Sequence, residues 1–152
     1  MNQPLLHRLI YRSRQSPVID GDLDYALGEI VRKSIANNRA DDVTGLLLAV
    51  QGFFVQALEG RREVLERIYA RISADGRHYD VAMISSRPAE ARLFGEWNMC
   101  ARSMGPADEA ILDVLDARGA FDAARLTPDS ALKLLTTVAG IQRRTVRAAM
   151  SA

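Results

Sequence analysis

Apolar and polar side chains alternate along residues 5–13, "LLHRLIYRS", which predicts a strand with His7, Leu9, Tyr11 and Ser13 on one face. "RQSPVIDGD" then supplies breakers and a helix start at Asp20 or Asp22. From Leu23 the period changes to that of a helix: Leu23, Leu27, Ile30, Val31 and Ile35 form one stripe, which Ser34 and Asn38 continue at four-residue spacing from Ile30. "RADD" reads as a loop. "VTGLLLAV" (43–50) is an almost unbroken apolar strand, Gln51-Gly52 a tight turn, and "GFFVQALEG" a second strand, so 43–60 reads as a hairpin. In that second strand Gln56 shares a face with Phe54 and Leu58, while Phe53, Val55, Ala57 and Glu59 point the other way. A helix from about Arg61 to Asp75 follows, with Val64, Leu65, Ile68 and Ile72 as its core positions and Arg71 and Asp75 near the same face, and "GRH" closes it. "YDVAMISS" (79–86) and "FGEWNMCAR" (94–102) read as two more strands, with Trp97, Met99 and Ala101 on one face of the last and Cys100 on the other.

The order βαββαββ over about one hundred residues predicts an α+β, ferredoxin-like sandwich: a five-stranded mixed sheet with two helices on one face. Phe53, Val55 and Ala57 make the opposite face apolar as well, so it requires a cover. The C-terminal part offers two helices for this. "PADEAILDVLDARG" (106–119) has Gly119 as its stop, and a longer helix follows Thr127 as N-cap and Pro128 as first residue, with Leu132, Leu135, Val138 and Ile141 as its stripe. The expected division is a domain at 1–103 and a helical extension at 104–152 for capping, oligomerisation or output.

Six polar side chains fall where this fold puts its interior: Tyr11, Ser34, Asn38, Gln56, Arg71 and Asp75, with Arg77 and His78 just beyond the second helix. Singly, each has an ordinary explanation as packing, capping or a surface pair. Together they are costly unless they bond one another or a polar ligand, and amides, a hydroxyl and a guanidinium suit a flat heterocycle with carbonyls and ring nitrogens. Composition narrows the classes further. The 152 residues are 48% hydrophobic and 26% charged with a net charge of +1, which gives a core without a field for nucleic acid or anionic lipid. One cysteine excludes an internal disulfide, His78 lacks the spaced partners of a metal site, and no nucleophile–base pair stands out. Arg143, Arg144 and Arg147 read most simply as complements of a helix dipole. Lacking a signal peptide or a membrane span, the sequence reads as that of a soluble cytoplasmic protein.

"RLIYRS", "NN" before "VTGLLL", "FFVQALEG", "DGRH" and "RLFGEWNM" together, from Leu5 to Ser103, resemble the BLUF family of flavin-based blue-light sensors. The resemblance implies FAD, with FMN or riboflavin as substitutes, between the two helices. It implies Tyr11 and Gln56 at a photochemical centre with no catalytic turnover, Asn38 and Asn37 at the carbonyl edge of the ring, and Arg71, Asp75, Arg77 and His78 along its other side. Ser34, Trp97 and Met99 complete the implied switch. It further implies signalling through the last strand and the C-terminal helices, a homo-oligomer (dimer or ring) and a separate downstream protein as partner. A flavin-dependent enzyme and a ligand-free assembly module are the competing readings.

Overall fold

The computed structural model describes residues 6–15, 23–76, 78–104 and 122–151, with 23–27 and 145–151 as backbone. Strands β1 (Leu6–Gln15), β2 (Thr44–Val50), β3 (Phe53–Arg61), β4 (His78–Pro88) and β5 (Cys100–Met104) form one sheet in the order β4-β1-β3-β2-β5. Every neighbouring pair is antiparallel except β2 and β5. Helices α1 (Leu23–Ala40) and α2 (Arg62–Ser73) pack on one face and α3 (Pro128–Ser151) on the other.

The two faces explain why β2 is buried at all seven positions. Leu9, Tyr11, Leu47, Phe54 and Leu58 pack under α1 and α2. Ile10, Leu46, Leu48, Val55 and Phe94 pack under α3, which contributes Leu134, Leu135 and Val138. Each such aliphatic side chain stabilises the fold by about 1.5–3 kcal/mol, so α3 covers the face that a bare sandwich would leave to water. Its buried stripe runs through Ala131, Leu134, Leu135 and Val138, with Leu132 only partly covered. This differs slightly from the stripe expected from the sequence. Thr127 caps α3 as expected: its Oγ1 accepts from Ser130 N at 3.1 Å, and Ser130 Oγ accepts from Thr127 N at 2.8 Å. The helix expected at 106–119 and the start at Asp20 or Asp22 lie outside the described residues.

The hairpin turn has φ of 52° at Gln51 and 79° at Gly52, the pair of positive values that a two-residue turn matching strand twist requires. β1 carries register shifts against β4 on both sides of Tyr11–Arg12, irregularities that re-aim side chains locally.

The last strand departs from expectation. It begins at Cys100, and residues 94–99 are an irregular segment crossing the end of β2. The segment satisfies its polar groups outside the sheet ladder. The buried Glu59 carboxylate accepts from Leu93 N (2.8 Å), Phe94 N (2.9 Å) and Arg8 Nε (2.9 Å). Farther on, Trp97 O accepts from Gly45 N at 3.0 Å, and Asn98 Nδ2 donates to Val43 O at 3.1 Å.

Candidate functional site

A cleft of about 210 Å³ opens between the C-terminal halves of α1 and α2, with the sheet as its floor. Tyr11, Leu47, Phe54, Gln56 and Leu58 rise from the strands; Ile30, Ser34, Asn37 and Asn38 come from α1; Ile68, Arg71 and Ile72 come from α2. Asp75, His78 and Met99 line it as well. Of the residues singled out from sequence, the structure therefore brings together Tyr11, Ser34, Asn37, Asn38, Gln56, Arg71, Asp75, His78 and Met99. Arg77 lies outside the described residues.

Gln56 lies at the centre, almost wholly buried. Its Oε1 accepts from the Tyr11 hydroxyl at 2.5 Å, and its Nε2 donates to the Met99 sulfur at 3.2 Å. Antiparallel pairing places Tyr11 directly opposite Gln56, which is why residues 45 positions apart meet. The Tyr11 ring stands edge-on to Tyr69 and His78, at 5.7 and 6.2 Å between centroids. Burial, then the Asp75 carboxylate and Tyr69, push the Tyr11 phenol well above its ordinary pKa, so it is a neutral donor across the working pH range.

His78 lines the cleft and is itself held by hydrogen bonds. One ring nitrogen, Nε2, donates to Ile72 O at 2.5 Å, and the other, Nδ1, is hydrogen-bonded with Ser13 Oγ at 2.7 Å. Both nitrogens are thus held by the protein, and the ring lines the cleft by packing against Tyr11 and Phe54. Asn38 donates through Nδ2 to Asn98 O at 2.8 Å, which ties the end of α1 to the segment before β5.

Trp97 and Met99 pack into different clusters, contrary to their expected common face. An irregular backbone at 94–99 breaks the two-residue alternation on which that expectation rested. Met99 belongs to the cluster under α1 and α2, whereas Trp97 packs with the cluster under α3 and lines no part of the cleft. Cys100, expected opposite Trp97, packs with the same α3-side cluster. Arg143, read from sequence as a dipole complement, stands well inside α3 and binds Glu96, Leu93 O and the Trp97 ring instead.

Lys33 and Asp41 also line the cleft and were not singled out from sequence. Lys33, Asn37 and Asp41 are four residues apart, the first two on α1 and Asp41 just past its end, and that spacing was the available signal.

Taken together, a ferredoxin-like sandwich holds a cleft with apolar walls, amide and hydroxyl groups at its floor and charged groups about its rim. Such a cleft suits a flat, amphipathic heterocycle. Residues 6–100 match the family described as sensors of blue-light using FAD, and the chain belongs to this BLUF family. It is 34% identical over 94 residues to photoactivated adenylate cyclase subunit beta of Euglena gracilis, covering 62% of this chain and 11% of that one. Subunit alpha of the same organism gives 34% over 94 residues, 62% of this chain and 9% of that one. The chain thus spans about a tenth of the length of these curated relatives. Among solved structures, BlsA in its photo-activated state superposes with a TM-score of 0.74 at 25% identity, covering 87% of this chain and 95% of that one. The dark-state structure of BlrB, a BLUF protein, gives 0.72 at 27% identity, over 93% and 99%. No helix among the described residues is long and apolar enough to cross a membrane.

Proposed function

We propose that this chain is a blue-light switch that holds FAD between α1 and α2 and uses Tyr11 and Gln56 to convert light into a changed hydrogen-bond pattern. The observation that carries the reading is the buried series Tyr11 hydroxyl, Gln56 amide, Met99 sulfur. A thioether is a weak acceptor, so the donor end of a fully buried amide rests on a poor partner at the wall of a cleft. A ring carbonyl or ring nitrogen is the better partner, and the site therefore fits a flavin. Asn38, Asn37 and Ser34 supply polar groups from α1, and Asp75 one beyond α2. Lys33 and Arg71 supply cationic groups for a phosphate-bearing tail.

The bound flavin supplies absorption of blue light and, once excited, a one-electron oxidant. Tyr11 is the donor within the cleft, and the phenolic proton of an oxidised tyrosine is strongly acidic. Its hydrogen bond runs to Gln56 Oε1, so the proton leaves along it. When the electron returns, Tyr11 recovers its proton and Gln56 is left rearranged, presenting a different donor and acceptor to Tyr11 and Met99. An amide does this without change of charge. Because the electron and the proton both return to Tyr11, the cycle turns over no substrate. Met99 is two residues from Trp97 and one from β5, so the loss or gain of its contact with Gln56 biases that segment and, through it, α3. Residues 1–103 then form the sensor and 104–152 the output extension, which acts through self-association and a separate signalling protein.

The test is the absorption spectrum of purified protein supplied with FAD, in the dark and after blue light. A yellow protein with a reversible red-shift supports the reading. Colourless protein that takes up no FAD, or bound flavin indifferent to light, overturns it.

A further inference from the structure

Arg143 joins α3 to the segment that carries Trp97 and Met99. Its Nη2 donates to Leu93 O at 2.7 Å and to Glu96 Oε1 at 3.1 Å, and its Nε donates to the other oxygen of the same carboxylate. The guanidinium carbon stands 5.5 Å from the Trp97 ring centroid. One side chain thus grips a main-chain carbonyl, a carboxylate fork and an aromatic face within five consecutive residues, 93–97. Two residues later Met99 meets Gln56. The Arg143 hydrogen bond is also the largest cause holding the Glu96 carboxyl below its ordinary pKa.

A partly exposed Arg–Glu pair is ordinarily a surface contact of small consequence. Three features set this one apart. The fork is bidentate, a geometry that only a planar guanidinium provides. The same group also holds Leu93 O, whose own N–H is fixed to the buried Glu59. Finally, the rest of the α3 packing on the sheet is mainly apolar and non-directional, through Leu134, Leu135 and Val138. The neighbouring polar contact, Arg102 Nη1 to Gln142 Oε1 at 3.2 Å, leaves Arg102 Nε buried without a partner. Among the described residues, the bidentate attachment of α3 lies on the 93–97 segment.

We propose that Arg143 is the positioning residue that keeps Trp97 on the α3 side of the sheet and makes α3 follow the 93–99 segment when Gln56 changes partners. This rests on the photosensor reading and adds to it the route of output. Arg143 lines no part of the cleft, so the colour change itself does not depend on it.

The full chain loaded with FAD is compared as wild type, Arg143→Ala, Arg143→Lys, Glu96→Gln and the exchanged pair Glu96→Arg with Arg143→Glu. Light-minus-dark hydrogen exchange is followed in α3. Trp97 is the single tryptophan of the chain, so its emission reports on that residue alone. Arg143→Ala and Glu96→Gln are expected to keep the red-shift, to lose the light-dependent exchange difference in α3, and to alter Trp97 emission in the dark. Arg143→Lys is expected to behave like the alanine variant, since lysine cannot form the fork. Charge exchange restores part of the α3 response. Should Arg143→Ala fold poorly, Glu96→Gln leaves α3 unaltered and decides the matter. A wild type that shifts colour while α3 responds equally in both variants, or not at all, overturns this inference alone. A wild type with no colour shift overturns the photosensor reading and this inference with it.

Discussion

The hydrogen bond between Tyr11 and Gln56 lends itself to a double-mutant cycle in the flavin-free chain, where ligand binding does not enter the energetics. Both groups are buried and 2.5 Å apart. Gln56→Leu removes the acceptor and leaves the Tyr11 hydroxyl enclosed without a partner, which costs about 1–3 kcal/mol. Tyr11→Phe orphans Gln56 Oε1 and costs about the same. Removing both groups leaves no unpaired atom of this pair, and exchanging both partners of a buried bond for apolar groups is close to neutral. The double variant should therefore be more stable than the sum of the single losses implies, by a coupling of about 2 kcal/mol or more. Urea unfolding followed by circular dichroism measures it, with equal slopes across the four proteins as the control. Additivity within about 0.5 kcal/mol would refute the claim that this bond is a closed, buried contact.

Three further outcomes follow from other parts of the structure. Glu59→Ala strips the buried partner from Arg8, Leu93 N and Phe94 N and should destabilise by about 3–5 kcal/mol; a loss under about 1 kcal/mol in urea unfolding would contradict the anchoring role. Gly45→Ala would bring a methyl group to 2.2 Å from Ala57 O, so the β2–β3 ladder must shift; expression as soluble, fully stable protein would contradict the close approach. Because the Tyr11 phenol is held above its ordinary pKa of 10.0, stability is intact below that pH and falls as the unfolded chain ionises first above it. The slope from this site is about 1.4 kcal/mol per pH unit. Tyr11→Phe should lack it, and identical alkaline profiles for the two proteins would contradict the burial of the phenol.

Legibility in the sequence followed the range over which each signal acts. The β2–β3 hairpin, β1 and α2 were readable because period and turn chemistry are local; Gln51-Gly52 needs only its own two dihedrals. Gln56 stood out for the same reason, a polar residue between Phe54 and Leu58 on a strand face. The segment 94–99 misled because its apolar alternation imitates a strand. What decides its path is bonding to Glu59, Gly45 and Asn38, residues 35 to 60 positions away. Glu59 was placed only on a strand face with Phe53, Val55 and Ala57, since nothing near it in sequence reveals its distant partners. The same holds for Arg143, whose partners lie in the loop before β5. Of the cleft, most residues on the strands and helices were found, while Lys33 on α1 and Asp41, read within the loop "RADD", were not singled out.

The most direct test of the switch is the light-minus-dark absorption spectrum of FAD-loaded wild type beside Gln56→Leu. A light switch working through Gln56 predicts a reversible red-shift in the wild type, and in the variant a retained yellow flavin with no shift. A normal shift in Gln56→Leu would contradict it.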